Sequence, residues 1–123
     1  MLSDSTPLLS AHDKPIIWVA LEPSDMRLGM DGLCSKVQHV LSQSPYGGEW
    51  FVFRNKAGNR LKILTYDGVG FWLHYRRLDR GTFVWPKGKD AIMRMTYAQF
   101  HLLTQGQDWR MVRRVYHQVP TLT

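Results

Sequence analysis

The spacing of apolar residues changes several times along this chain. PIIWVALEP (residues 15–23) is a short apolar, β-branched run between two prolines, the pattern of a strand. Met30, Leu33, Val37, Val40 and Leu41 then recur at i, i+3, i+7, i+10 and i+11, one stripe of an amphipathic helix. This predicts a helix over residues 31–42, capped by Asp31, or by Ser24 if the helix begins early. Gly29 and Gly32 weaken any earlier start, and a turn is expected around residues 24–29. Past the loop SQSPYGG (42–48), EWFVF, RLKILTY, GFWLHYRRL and TFVW follow one another, joined by NKAGN, Asp67-Gly68 and DRG (79–81). Short connections of this kind make an antiparallel meander, and Asp-Gly is a strong signal for a tight hairpin. AIMRM supplies a further short strand. TYAQFHLLTQG returns to a helical spacing, with Thr96 and Gln99 as a capping box and Gly106 as the C-terminal glycine. The predicted class is α+β: an antiparallel β-meander of four to five strands packed against two main helices.

Alternation along each strand divides the meander into faces. Leu61 and Ile63 fall on one face of the RLKILTY strand, with Arg60, Lys62 and Leu64 on the other. In the next strand Phe71, Leu73 and Tyr75 fall together, opposite Trp72, His74 and Arg76. The expectation is one greasy surface of Leu61, Ile63, Phe71, Leu73 and Tyr75 beneath the helices. The other surface then gathers Arg60, Lys62, Trp72, His74 and Arg76, with Arg54 and Lys56 extending it. Cations interleaved with an aromatic suit a phosphate backbone or the stacking of unpaired bases. The bland counterpart is a solvated face that keeps an antiparallel sheet soluble.

Composition narrows the field. At 123 residues, 44% hydrophobic and 21% charged, the chain has the length and make-up of one globular domain. That domain is expected over residues 16–110, with a flexible extension over 1–15 and a tail over 111–123. The extension has no basic n-region and a two-residue apolar stretch, unlike a signal peptide. No apolar run reaches the length of a membrane span. A lone cysteine, Cys34, excludes an intrachain disulfide and fits a reducing compartment, the cytoplasm. Net charge is +6, and it is unevenly spread: residues 54–94 hold ten Lys/Arg against three Asp/Glu, whereas residues 1–53 hold three against six. Concentrated positive charge favours polyanions through phosphate contacts and counterion release.

Catalytic chemistry finds little support. Polynucleotidyl transfer needs clustered carboxylates to hold two metal ions. Each acidic candidate instead has a local role: Asp67 and Asp79 in turns, Asp25 and Asp31 at the first helix, Asp108 after a helix-ending glycine, and only Asp90 lies in a basic loop. His12, His39, His74, His101 and His117 show no metal-binding spacing, and GVGFWL holds an isolated GxG that opens no helix. Cys34 beside the apolar stripe reads as a small core residue. Beside Ser24, an exposed Arg27 could grip a phosphate, but a cap by Asp25 with Arg27 paired to it is the simpler reading. No enzyme, metal site or cofactor is expected.

PSDMRLGMDGL, FVFRNKAGNRLKIL, YDGVGFWLHYRRLDRGTFVWP and QGQDWR, in that order over residues 18–110, resemble the TnpB-type accessory protein, the second open reading frame, of the insertion-sequence-sixty-six transposase family. Residues 24–27, the FRN unit at 53–55 and Asp67-Gly68 carry most of the resemblance; Thr65 stands where an aromatic is expected. The resemblance implies an accessory role in transposition beside a large transposase, with no catalytic or ligand residues to carry over. Joined to the charge pattern, it suggests DNA, at the element's ends or the target, as a partner of Arg54, Lys56, Arg60, Lys62, Trp72, His74, Arg76 and Arg77. The alternative is a protein–protein module docking the transposase or other element-encoded proteins through Trp50, Trp72, Trp85 and Trp109, without contacting nucleic acid.

Overall fold

The structure, a computed structural model, describes residues 15–112; the expected N-terminal extension and C-terminal tail lie almost wholly outside them. Along the chain come β1 (Ile17–Ala20), α1 (Met30–His39), β2 (Trp50–Arg54), β3 (Arg60–Tyr66), β4 (Phe71–Arg77), β5 (Ile92–Met95) and α2 (Tyr97–Thr104). The strands form one sheet in the order β4-β3-β2-β1-β5. The meander β2-β3-β4 is antiparallel, and so is the β1–β5 pair, but β1 runs parallel to β2. Parallel neighbours need a crossover, and α1 supplies it. The class is α+β as expected, with a mixed sheet in place of an all-antiparallel one.

Three local expectations are corrected. TFVW forms no strand; Phe83 is instead tied by its N–H to the Gly58 carbonyl (2.8 Å) and buried under the sheet. The first helix begins a residue early, with Gly29 at its N-cap and no side-chain cap. Ser24 is engaged elsewhere, its hydroxyl accepting from Lys36 Nζ at 2.7 Å. The second helix follows the sequence closely. Thr96 and Gln99 form a reciprocal capping box, and Gly106 takes a left-handed φ of 73°. Its N–H and that of Gln107 close back on Leu103 and Leu102, satisfying carbonyls the helix leaves free.

Both faces of the sheet are covered, not one. On one side Ile17, Val19, Trp50, Val52, Leu61, Ile63 and Met95 pack under Phe100 and Leu103 of α2, with Trp109 beside them. On the other, Ala20, Phe51, Phe53 and Leu64 meet Leu33, Val37 and Leu41 of α1. Burial on both sides explains why β2 reads WFVF without alternation. Each such large side chain contributes about 1.5–3 kcal/mol relative to exposure.

Candidate nucleic-acid interface

Antiparallel partners that stand directly opposite share a face. In the β3–β4 ladder Leu61 faces Arg76, Lys62 faces Tyr75, Ile63 faces His74, Thr65 faces Trp72 and Arg60 faces Arg77. Trp72, His74 and Arg76 therefore lie on the α2 side, with Leu61 and Ile63. Arg60, Lys62, Tyr75 and Arg77 lie on the α1 side, with Leu64 and Leu73. The single cationic face expected from alternation does not exist: Arg60 and Lys62 are on the opposite face from Trp72, His74 and Arg76.

Two of the expected cations are absorbed by the fold. Lys62 Nζ donates to the carbonyls of Met26 (2.7 Å) and Leu28 (2.8 Å) and sits over the Tyr75 ring. Arg54 donates to the Leu21 carbonyl at 3.0 Å and lies over Trp85. His74 stacks on Trp72. Its Nε2 is enclosed without a hydrogen-bond partner, and burial lowers its pKa. His74 also borders a groove of about 290 Å³ between β4 and α2, with Arg76, His101, Thr104 and Gln105 at its walls. Lys56, Arg76 and Arg77 are exposed and Arg60 partly so.

What the topology does gather is one end of the sheet. β1, β2 and β4 finish there and β3 and β5 begin there, so loops 21–29, 55–59 and 78–91 meet at that end. Leu78 N–H bonds to Asn59 and Phe83 N–H to Gly58, which pins the long loop onto the β2–β3 turn. Lys56, Arg60, Arg76 and Arg77 are joined by Arg80, Lys87 and Lys89, all three exposed. The last three were legible only as a turn and a basic loop, because loop closure placed them. At the opposite end, the hairpin of residues 67–70 and the segment 43–49 carry Asp67 and Glu49 and no Lys or Arg. Arg60 and Arg77 oppose each other directly, and the ion pairs found among the described residues, Arg27–Asp25 and Arg110–Asp108, leave both without a carboxylate. Like charges in that position destabilise a strand pair, and an anion between them would relieve the repulsion.

The description "IS66 Orf2 like protein" fits residues 16–114 of the chain. Two proteins of Sinorhizobium fredii (strain NBRC 101917 / NGR234) are similar to it: uncharacterized protein y4hO is 43% identical over 94 residues, covering 76% of this chain and 82% of that one. Uncharacterized protein y4jC is 41% identical over 105 residues, covering 85% and 90%. The chain belongs to the IS66 Orf2-like family. This is an accessory, non-catalytic family of insertion-sequence proteins. No solved structure matches the chain.

The motifs of this IS66 Orf2-like protein have local explanations. In SDMR, Asp25 accepts from the Arg27 N–H at 2.8 Å and pairs with the Arg27 side chain. QDWR repeats the device, with Asp108 taking the Arg110 N–H at 3.0 Å and its guanidinium at 2.8 Å. The hydrogen bonds from these arginine side chains hold both carboxyls at a pKa of about 2. In FRN, Phe53 is core, Arg54 ties to Leu21, and the Asn55 side chain accepts from the N–H groups of Asn59 and Arg60 to shape the turn. Asp67 receives the Val69 and Gly70 N–H groups and the Trp72 indole. Among the described residues no group of three or more His, Cys, Asp or Glu is placed to hold a metal ion, and no helix is long and apolar enough to cross a membrane. Of the tryptophans considered for docking, Trp50 and Trp109 are buried and Trp85 donates to the Ala20 carbonyl; Trp72 alone among them is exposed.

Proposed function

We propose that this protein serves transposition of its insertion sequence by holding element or target DNA against the basic end of its sheet, while a separate large transposase does the strand chemistry. The observation that carries the reading is the uncompensated pair Arg60 and Arg77, with Lys56, Arg76, Arg80, Lys87 and Lys89 exposed at the same end of the sheet. Guanidinium groups make charge-assisted, often bidentate bonds to phosphate oxygens, and such contacts position a duplex without reading its sequence. Arg54 and Lys62 serve the fold in this reading, and Trp72 and His74 stand away from the contact.

A salt titration of duplex binding tests it. Each phosphate contact adds about 0.9 to the slope of log affinity against log salt. The double variant Arg60→Ala/Arg77→Ala is expected to keep its fold and lower that slope by roughly 2. Unchanged affinity and slope in a folded variant would reject the basic end as the contact.

A second reading has an observation of its own. At the acidic end Val69 is 93% exposed, and Tyr46, 57% exposed, packs its ring on Tyr66 and Phe71. Exposed apolar groups together mark protein contacts, so this end would dock the transposase. Retention of the co-expressed transposase by wild type and its loss in Val69→Asp would support that reading.

A further inference from the structure

The sheet has two edges, and they are not alike. β5 is four residues long, whereas β4 has seven, paired on one side only. Its ladder with β3 runs unbroken from Arg60↔Arg77 to Tyr66↔Phe71, with no bulge and no proline in the strand. The outward N–H and C=O groups of such a strand form a template for another strand.

Side chains along β4 say which one. Its first two residues are the aromatics Phe71 and Trp72; its last two are Arg76 and Arg77; Leu73 and Tyr75 flank His74 at the centre. We propose that two copies of this chain join through β4 as a two-fold antiparallel pair centred on His74. That register sets Trp72 against the second copy's Arg76 on the α2 side, and Phe71 against its Arg77 on the α1 side. Leu73 meets Tyr75, and the two His74 residues face each other. Each arginine is thereby set opposite an aromatic ring, an attraction that strengthens as water is excluded. Trp72, 38% exposed, and Tyr75, 52% exposed, lose part of that surface. Other registers do not match. Centring on Leu73 removes both arginine–aromatic pairs; centring on Tyr75 sets Arg76 against His74; a parallel pair sets Arg76 and Arg77 against their own copies, which like charges oppose. A guanidinium stacked on a ring keeps its in-plane N–H groups, so the pair leaves Arg77 able to meet an anion.

Sedimentation velocity across a concentration series, at constant salt and without DNA, reads the association. Wild type is expected to show a reversible dimer, and Trp72→Lys, which would stand a lysine against Arg76, is expected to lose it with unchanged circular dichroism. For the register, Cys34→Ala is the background. His74→Cys should then give a disulfide-linked dimer on mild oxidation, because opposed residues lie within about 4.5–5.5 Å. Tyr75→Cys should not, since its own copy is two positions away along the strand. A wild type that stays monomeric throughout would overturn the proposal, and so would a dimer indifferent to Trp72→Lys. Cross-linking through Tyr75→Cys but not His74→Cys would overturn the register.

Discussion

At the scale of single residues, chemically similar cations do different work, and the difference lies in what each nitrogen touches. Lys62 is spent on two backbone carbonyls of the loop leading into α1. Lys62→Met keeps much of the stem's packing but strands those acceptors, and charge-assisted bonds of this kind are worth about 1.5–3 kcal/mol. Urea unfolding is expected to show a loss of that order, with the salt slope of DNA binding unchanged. Arg60, two residues away on the same face, should show the converse. His74 offers a test by pH. Burial lowers its folded pKa, so on acidification the unfolded chain takes up the proton first. Its contribution to stability is complete above the ordinary histidine value of about 6.5, and is lost as pH falls through that value toward the lower folded one. Unfolding midpoints followed from neutral to mildly acidic pH should decline in wild type, and decline less in His74→Gln.

The elements differ in how they are specified. α2 carries its own stop and start signals, and its capping box ties the Thr96 side chain to the Gln99 N–H at 3.0 Å, with Gln99 Oε1 accepting the Thr96 N–H at 3.0 Å. Thr96→Ala is expected to cost about 1 kcal/mol, measured by thermal or urea unfolding. α1 has no such cap, and its place is fixed by Leu33 and Val37 against Phe51, Phe53 and Leu64. It was legible as a stripe but not as a crossover, although strand, helix and strand in succession is the pattern of a parallel pair. TFVW has the composition of a strand, yet Phe83 N–H bonds to the Gly58 carbonyl and the Trp85 indole to the Ala20 carbonyl, and the segment joins no ladder. Local propensity lost there to tertiary hydrogen bonds.

For the molecule as a whole, the consequence is polarity from end to end. The basic excess of residues 54–94 was readable as a sum, but its position required the sheet order and loop 78–91 folding onto the β2–β3 turn. That loop runs on to Leu21, where Gly88 packs, and so brings Lys87 and Lys89 to the same end of the sheet as the cations of β3 and β4. Lys87→Ala/Lys89→Ala, remote in sequence from Arg60, is therefore expected to lower the salt slope of duplex binding by up to about 2 with no change in unfolding midpoint. Substitutions in the hairpin at residues 67–70 should leave that slope alone, since neither it nor the segment 43–49 carries a Lys or Arg.

By itself the amino-acid sequence determined the strand and helix periods outside TFVW, the α2 caps, the Asp67-Gly68 hairpin, the pairing of Arg27 with Asp25 (though not a cap by Asp25 on α1) and the charge bias, because each depends on neighbours within a few residues. It also sufficed for the family. Tertiary structure alone decided which cations share a surface. Alternation settles that Lys62 opposes Leu61 within its own strand, but which residue of β4 stands across from it depends on the ladder, and a one-residue difference exchanges the faces. The same pairing brought Arg60 to Arg77 and separated Lys62 from His74. Electrostatic character at this surface follows from distance in space, and period along a strand cannot supply that distance.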